Sequence, residues 1–372
     1  DEAALYDRQI RLWGLEAQNK LRTSHVLIHS LTGVNTEVIK NIVLSGIGTL
    51  SIVDDELIQP EDLGAGFFFR EDEVGSERLS QGPISRIQSL NPLVRIRAIK
   101  DPTFLLSPSS NSSLEALKEM KLDVIVAGKG TRSQLVELDL VARSLGVKFY
   151  TSRSVGLGGY IFSDLGDHHE YLTEKNGQQV TMEKKKIKHK QAFVSLSDSL
   201  SHSWKGSMNE RKMKRLRLNP LLFGIWAYWE WEARRAIAEA EVVKGGQEKV
   251  AGSDIPSELE QISIQMMEEK GIKSQTCILT PGSFSPTCAV LGGLLGQDIL
   301  NAIGGREEPI VNWFILDGQN GEWIPLNFGR AAFRRVSDIT SQPLITTRSK
   351  KGQGPVHSVG PDVSVVVPAV SQ

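Results

Sequence analysis

Phosphate binding is the chemistry that the residue order at positions 26–37 suggests, although the glycines for it are missing. An apolar strand, Val26–Ile28, leads through a turn into an amphipathic helix, the order of a nucleotide-binding βα unit. Such a unit needs glycines at three turn positions, because a Cβ there keeps backbone N–H groups away from the phosphate. Those positions hold Ser30, Thr32 and Asn35, with only Gly33 between them. The sequence therefore predicts a nucleotide-type fold that depends on a partner to hold the nucleotide.

The composition indicates a chain that can bury a large core. It has 372 residues, 40% of them hydrophobic, and a net charge of −1. We expect no nucleic-acid partner, since general affinity for phosphate backbones needs a basic excess. We also expect no membrane association, because the longest apolar stretch, Cys288 to Leu295, is too short to cross a bilayer.

No metal site is predicted from the cysteines and histidines. Cys277 and Cys288 are the only cysteines, which excludes a four-cysteine zinc site and argues against a disulfide scaffold. His168 and His169 are adjacent, so their side chains point in different directions, and a solvated hairpin explains them better than a ligand pair. Cys288 begins an apolar helix and is predicted to be a small buried residue.

The order of predicted strands and helices indicates the fold class. A helix over residues 3–21 precedes apolar segments that are separated mostly by helical stretches, which predicts a doubly wound, mainly parallel α/β sheet covered on both faces. The strand candidates are His25–His29, Thr49–Val53, Val94–Ile99, Asp123–Ala127 and Lys148–Thr151.

The pattern divides the chain into four parts. Residues 1–165 form the first part of the nucleotide-type domain, and residues 166–275 form an insertion, hairpin-like and then helical. Residues 276–329 complete the domain, and residues 330–372 are predicted to be a largely disordered tail.

Two further features carry open alternatives. The basic clusters at 184–190 and 211–217 are nuclear-import signals, docking faces for an acidic partner, or solvated loops. The aromatic group of Trp226, Tyr228, Trp229 and Trp231 is predicted to lie in a buried helix or subunit contact rather than in a ligand platform.

Five motifs follow one another along the chain. They are Tyr6-Asp7-Arg8-Gln9-Ile10-Arg11-Leu12-Trp13-Gly14, then the βα unit, Asn41-Ile42-Val43-Leu44-Ser45-Gly46-Ile47-Gly48, Leu90-Asn91-Pro92 and Ala289-Val290-Leu291-Gly292-Gly293. This series resembles the adenylation domains of ubiquitin-like-protein activating enzymes. The resemblance covers roughly residues 4–165 and 275–326, and it is greatest to the smaller subunit of the heterodimeric enzymes that activate SUMO. It implies a Rossmann-like adenylation-domain fold with a degenerate nucleotide site.

The resemblance also implies partners and cofactors. The active half of this family adenylates the C-terminal glycine of the modifier with ATP and Mg²⁺ and then passes the modifier to a cysteine. The smaller subunit resembles that half with its chemistry removed. The implied partners are a catalytic subunit and SUMO, with ATP and Mg²⁺ held mainly by the catalytic subunit and none by this chain alone. The implied location is the nucleus, with the cytoplasm as an alternative. The resemblance also implies that this chain has no independent active site and no catalytic cysteine.

Departures from the active pattern can be placed by position. Asp62-Leu63-Gly64-Ala65-Gly66 stands where an active domain carries an Asn-Leu-Asn-Arg-Gln run that contacts ATP. The metal-binding aspartate falls near Gly130, and the phosphate-contacting lysine falls at Arg78, which keeps a charge but not the geometry. Asp54 ends the second strand, where it could accept hydrogen bonds from a ribose or, more commonly, serve a turn.

Arg8 is the residue to which the resemblance assigns a catalytic and ATP-binding role. An arginine at this place resembles an arginine finger that reaches the ATP phosphates in the partner's site. A guanidinium there would offset charge as the modifier carboxylate attacks. Arg11 is four residues from Asp7, and a plain surface ion pair is the preferred interpretation for it.

Two other hypotheses stand beside this one. The chain could be a non-catalytic scaffold, for example in the related NEDD8-activating enzyme, in which case Arg8 would be dispensable. The insertion at 166–275 is much smaller than that of the NEDD8 subunit, so length favours SUMO. An autonomous Rossmann-type enzyme, an oxidoreductase or a homodimeric adenylyltransferase, is opposed by Ser30, Thr32 and Asn35.

Overall fold

The computed structural model describes residues 6–175, 185–205, 218–245, 255–275, 282–318 and 322–327. The strands are β1 His25–His29, β2 Thr49–Val53, β3 Arg95–Ile99, β4 Val124–Ala127, β5 Lys148–Val155, β6 Gly158–Asp164, β7 His169–Lys175, β8 Lys185–Gln191, β9 Asn312–Asp317 and β10 Glu322–Asn327. The helices are α1 Asp7–Thr23, α2 Gly33–Leu44, α3 Gln81–Leu90, α4 Thr103–Leu106, α5 Asn111–Met120, α6 Arg132–Leu145, α7 Leu196–Ser201, α8 Pro220–Gly245, α9 Ile255–Glu269 and α10 Ser285–Gly304, with 3₁₀ turns at Pro60–Gly64 and Glu71–Glu73.

Eight strands form one sheet in the order β10-β9-β6-β5-β4-β1-β2-β3. The strands β1 to β5 are parallel, and β6, β9 and β10 run antiparallel to their neighbours. Every residue of β1 is buried, as expected for a central strand with helices on both faces. The predicted mainly parallel α/β sheet is confirmed, and the strand after α10 does rejoin it.

Aromatic side chains fill the core between the sheet and α8. Trp313 on β9 has its ring centroid 5.9 Å from that of Trp226, 6.0 Å from Trp229 and 5.7 Å from Tyr160. The prediction that the tryptophan-rich segment lies in a buried helix is confirmed, since Trp226 and Trp229 are almost fully buried. Their role is hydrophobic packing.

On the other face of the sheet, α10 packs closely on α2. A Cβ added to Gly292 would lie 2.4 Å from Glu37 Cβ, and one added to Gly296 would lie 3.0 Å from Asn41 Cβ. The helix is long and apolar enough to cross a membrane by length and composition, but 61% of that window is buried inside the domain. We therefore treat α10 as a core helix, and the glycine spacing serves close packing.

The β7–β8 hairpin corrects one expectation. His168 is exposed, but His169 is buried against Tyr171 and Phe193 and is not solvated. Alternation along the strand turns His169 inward, and burial lowers its pKa to about 4. On the outer face, Glu170 pairs with Lys188 and Lys190 of the basic cluster. Cys277, the cluster at 211–217 and the tail at 330–372 lie outside the described residues.

Candidate functional site

The turn between β1 and α2 is closed by its own side chains. Thr32 caps the helix by accepting a hydrogen bond from the Asn35 backbone N–H at 3.3 Å. The Asn35 side-chain amide donates to the carbonyls of His29 at 3.0 Å and Ser30 at 2.8 Å, and it is fully buried. The carboxamide thus occupies the inside of the turn, where a phosphate would need free backbone N–H groups.

Gly33 is retained for packing. A Cβ at this position would lie 2.8 Å from both Ala65 Cβ and Cys288 Sγ. Cys288 is buried as predicted, and burial raises the pKa of its thiol, which disfavours the nucleophilic thiolate. The remaining glycine and the cysteine beside it therefore carry packing roles.

Asp54 serves the loop that follows β2. Its carboxylate accepts the Leu31 backbone N–H at 2.7 Å and the Glu56 backbone N–H at 2.9 Å, and the residue is 3% exposed. Burial raises the pKa of Asp54, and the hydrogen bond from Leu31 opposes that rise. Both oxygens accept backbone N–H groups of the loop and the residue is almost fully buried, which favours the turn explanation over a contact with ribose.

Arg78, at the place of the phosphate-contacting lysine, is enclosed by carboxylates. Its Nη2 lies 2.8 Å from both oxygens of Asp62, and its Nη1 donates to Glu56 at 2.6 Å. Asp54 lies 3.7 Å and the Ser30 hydroxyl 3.5 Å from the same Nη1. With Arg78 only 8% exposed, this guanidinium is fully used by its own chain.

The charges of this pocket do not fit ATP. Lys129 also pairs with Glu56, so the three carboxylates Asp54, Glu56 and Asp62 face two cations. A polyphosphate would have to displace carboxylates from Arg78 and would then lie beside them. Gly130, at the expected metal position, offers no side-chain ligand, and the described part of the chain holds no group of three or more His, Cys, Asp or Glu suited to a metal.

The N-terminal part of α1 and the residue before it have one side that packs on the domain and one side that is exposed. Tyr6 is buried and its hydroxyl accepts from Asn91 Nδ2 at 2.7 Å, while Gln9 Nε2 donates to the Leu44 carbonyl at 3.3 Å. Outward, Leu12 is 76% exposed. The inward residues hold the segment on the domain and leave its other side open.

Arg8 lies on the outward side. Its side chain is exposed, and it forms no ion pair with any residue between 6 and 327 that the structure describes. Arg11 differs, because its guanidinium lies 2.9 Å from Asp7 in an exposed i,i+4 pair. The surface-pair interpretation of Arg11 agrees with this geometry.

Sequence reasoning missed the pairing of Asp62 with Arg78. From the sequence, Asp62 was interpreted only as standing in place of an ATP ligand, and Arg78 only as a positive charge in place of a lysine. A signal was present, since residues 54–78 include nine acidic residues but only two arginines, Arg70 and Arg78, and no lysine. The part of Gln18 in holding Trp13, by a hydrogen bond of 2.9 Å, was also missed.

Comparison with known proteins gives a consistent family. The ThiF family matches residues 6–331. SUMO-activating enzyme subunit 1 of Rattus norvegicus is 30% identical over 353 residues, covering 87% of this chain and 93% of the relative, and that of Homo sapiens is 30% identical with coverages of 87% and 94%. A crystal structure of selenomethionine PaaA is 16% identical with a TM-score of 0.49, covering 87% of this chain and 82% of that one.

Proposed function

The chain belongs to the ThiF family, and we propose that it is the non-thioester subunit of a heterodimeric SUMO-activating enzyme. Relatives named SUMO-activating enzyme subunit 1 match it over almost their whole length, which supports this assignment. In the proposal, the catalytic subunit binds ATP and Mg²⁺. The SUMO carboxylate attacks the α-phosphorus, forms an acyl–AMP anhydride and releases pyrophosphate, and a cysteine of the catalytic subunit then displaces AMP to form the thioester.

The contrast between two arginines carries this proposal. Arg78 lies in the chain's own pocket, where Asp62 and Glu56 neutralise it. Arg8 is exposed and has no ion pair among the described residues. A guanidinium that is free of internal carboxylates can neutralise a phosphate, whereas a buried guanidinium that is held bidentately by a carboxylate of its own chain would first have to give up that pair. Arg8 is therefore available to an anion outside this domain, and Arg78 is not.

Exposed apolar side chains near Arg8 support a partner at this surface. Leu12 is 76% and Leu15 59% exposed, both in α1. Burying exposed aliphatic side chains against a partner favours association, and arginine is enriched at protein interfaces. We propose that the catalytic subunit covers this part of α1 and brings its ATP within reach of Arg8. We also propose a nuclear location for the complex.

ATP–pyrophosphate exchange by the reconstituted heterodimer tests the role of Arg8. Arg8→Ala should leave the heterodimer assembled and slow exchange by about 10²- to 10³-fold, the usual loss when a preorganised charge donor is removed. Arg11→Ala is the matched control, since it removes an exposed arginine of the same helix, and its exchange rate should stay within about twofold of the wild type. Normal exchange by Arg8→Ala would refute the proposed role.

The alternative hypothesis, that this chain is only a scaffold, predicts a different result for the catalytic subunit alone. If the fold were only a dimerisation surface, the catalytic subunit alone would form adenylate. We expect the catalytic subunit alone to be inactive and the addition of this chain to restore exchange. We further expect the isolated chain to show no ATP binding by calorimetry, because the charges around Arg78 oppose it.

A further inference from the structure

Helix α1 is bent at Gly14. The backbone there has φ 86° and ψ 158°, so residues 7–13 form a segment with its own direction, separate from residues 15–23. This conformation is open to glycine and strained for other residues. A Cβ at Gly14 would meet its nearest neighbour, Arg306 Nη1, at 3.7 Å, which is ordinary contact. The glycine is therefore required by backbone conformation and not by lack of space.

A hydrogen bond from Arg306 caps the segment that carries Arg8. Because the helix breaks at Gly14, the carbonyl of Trp13 has no continuing helical N–H to accept from. Arg306 Nη1 donates to this carbonyl. Arg306 follows the end of α10, and its own backbone N–H donates to the Asn301 carbonyl at 3.0 Å. The second half of the domain thus fixes the bend in the first helix.

The Trp13 side chain holds the segment from the other side. Its indole Nε1 donates to Gln18 Oε1 at 2.9 Å. Gln18 is 1% exposed, and its Nε2 donates to the Ser45 carbonyl at 3.2 Å. Together with the hydrogen bond from Gln9 to Leu44, these contacts fix both the tilt and the rotation of residues 7–13 on the α2–β2 turn.

We infer that Gly14, Trp13 and Arg306 are positioning residues that aim Arg8 at the phosphates of the neighbouring subunit. The inference rests on the proposed function of Arg8. Arg8 is six residues from the bend, or about 9 Å along a helix, so a 30° change of direction would move it by about 5 Å. Displacement of a catalytic group by about 1 Å can cost about 100-fold in rate. A straight α1 would therefore leave the arginine present but misplaced.

Gly14→Ala in the reconstituted heterodimer is the main test. With both subunits at saturating concentration, we expect the maximal rate of ATP–pyrophosphate exchange to fall about tenfold or more, with the KM for ATP within about twofold of wild type. Gly75→Ala is the matched control, because Gly75 also has a positive φ, +85°, and open space around it. It should carry a similar backbone strain without changing exchange. A normal rate for Gly14→Ala would overturn the inference.

A double mutant separates positioning from a general structural role. In an Arg8→Ala background, Gly14→Ala should have no further effect on exchange, because there is no guanidinium left to misplace. An equal fold-loss in both backgrounds would overturn the inference. Trp13→Phe keeps an aromatic side chain, although a smaller one, and removes the N–H that reaches Gln18. If Gly14→Ala prevents folding, Trp13→Phe should show the same non-additive loss.

A distance measurement tests the inference independently of activity. Spin labels at Arg8→Cys and Glu119→Cys, on a Cys277→Ser background, report the position of the α1 segment relative to exposed helix α5. Gly14→Ala should shift this distance by about 3 Å or more, and an unchanged distance would overturn the inference. If Arg8→Ala proves fully active while the distance still shifts, the proposed function fails and the positioning geometry stands.

Discussion

The guanidinium of Arg78 lies against both carboxylate oxygens of Asp62, with Nη2 2.8 Å from each. The resemblance to adenylation domains implies that Arg78 stands at the position of a phosphate-contacting lysine and that Asp62 begins the run at the position of the ATP ligands, so this bidentate pair joins the two positions. A buried arginine held in this way strongly favours a carboxylate of its own chain over an incoming phosphate. The region around Arg78 is therefore a structural ion-pair cluster, and the β1–α2 turn near it holds Ser30, Thr32 and Asn35.

Removal of Arg78 should destabilise the domain. Arg78→Ala would leave Asp54, Glu56 and Asp62 facing one another, and we expect a loss of about 2–4 kcal/mol in the free energy of unfolding, since Asp62 and Glu56 keep partial access to water. Urea denaturation of the isolated chain measures this. Arg11→Ala, which breaks an exposed pair, should cost less than about 0.5 kcal/mol. Equal losses in the two variants would contradict the structural role of the cluster.

Alanine substitutions at two adjacent glycines of α10 should change the stability of the protein in opposite directions. Gly292→Ala would place a Cβ 2.4 Å from Glu37 Cβ and 2.8 Å from the Val34 carbonyl oxygen, so the two helices must separate, at a cost of about 1–3 kcal/mol. Gly293→Ala meets nothing within 4 Å and should be neutral or stabilise the helix by up to about 1 kcal/mol. Thermal and urea unfolding would measure both. Similar effects at the two positions would disprove the close contact of α10 with α2.

Asp298 should make stability depend on pH. Burial raises its pKa to about 7, opposed by hydrogen bonds from the Ile310 N–H and the Tyr150 hydroxyl, both 2.8 Å long. Between pH 4 and 7 the folded state therefore binds a proton that the unfolded state has released, so this group lowers stability as pH rises through that window. The penalty is fully present above pH 7 and absent below pH 4.

Asp298→Asn isolates that titration, because the amide carries no charge. Its oxygen can still accept the Ile310 N–H, and its NH2 can donate to the Tyr150 oxygen, which reverses the direction of that hydrogen bond. The variant should gain stability relative to wild type as pH rises from 4 to 8, by up to about 4 kcal/mol at pH 8. Unfolding curves of the two proteins across that range give the difference and cancel groups that titrate in both, such as His169. A constant difference between pH 4 and 8 would show that Asp298 does not titrate in this window.

Arg306 should be needed for exchange but not for assembly. Arg306→Leu removes the cap of the Trp13 carbonyl, and we expect exchange by the heterodimer to fall about tenfold. Gel filtration and titration of the labelled subunits should show unchanged complex formation. Arg306→Lys, which can still donate one hydrogen bond, should recover part of the rate. Loss of the complex in Arg306→Leu, or full activity of that variant, would count against a positioning role.

The sequence by itself determined the elements and the loss of the phosphate turn. The predicted bounds of β1 and β2 agree with the structure, because apolar runs flanked by turn residues report burial through local periodicity. The absence of the phosphate-binding glycines could also be read directly from the sequence, because Ser30, Thr32 and Asn35 occupy those positions within one short segment. The resemblance directed attention to Arg8, which no periodicity distinguishes from a surface arginine.

Only the tertiary structure decided which charges meet. Arg78 reaches Asp62 across a separation of 16 residues, and Arg306 reaches Trp13 across 293 residues. Such pairs depend on the order of the strands in the sheet, which places each loop, and on the direction of each helix. The periodicity of side chains along the sequence gives no information on either. The same reason explains His169, whose inward face was fixed by the packing of the hairpin against Phe193. The local sequence thus specified the helices and strands. Long-range packing decided that Arg78 is buried and that Arg8 is exposed.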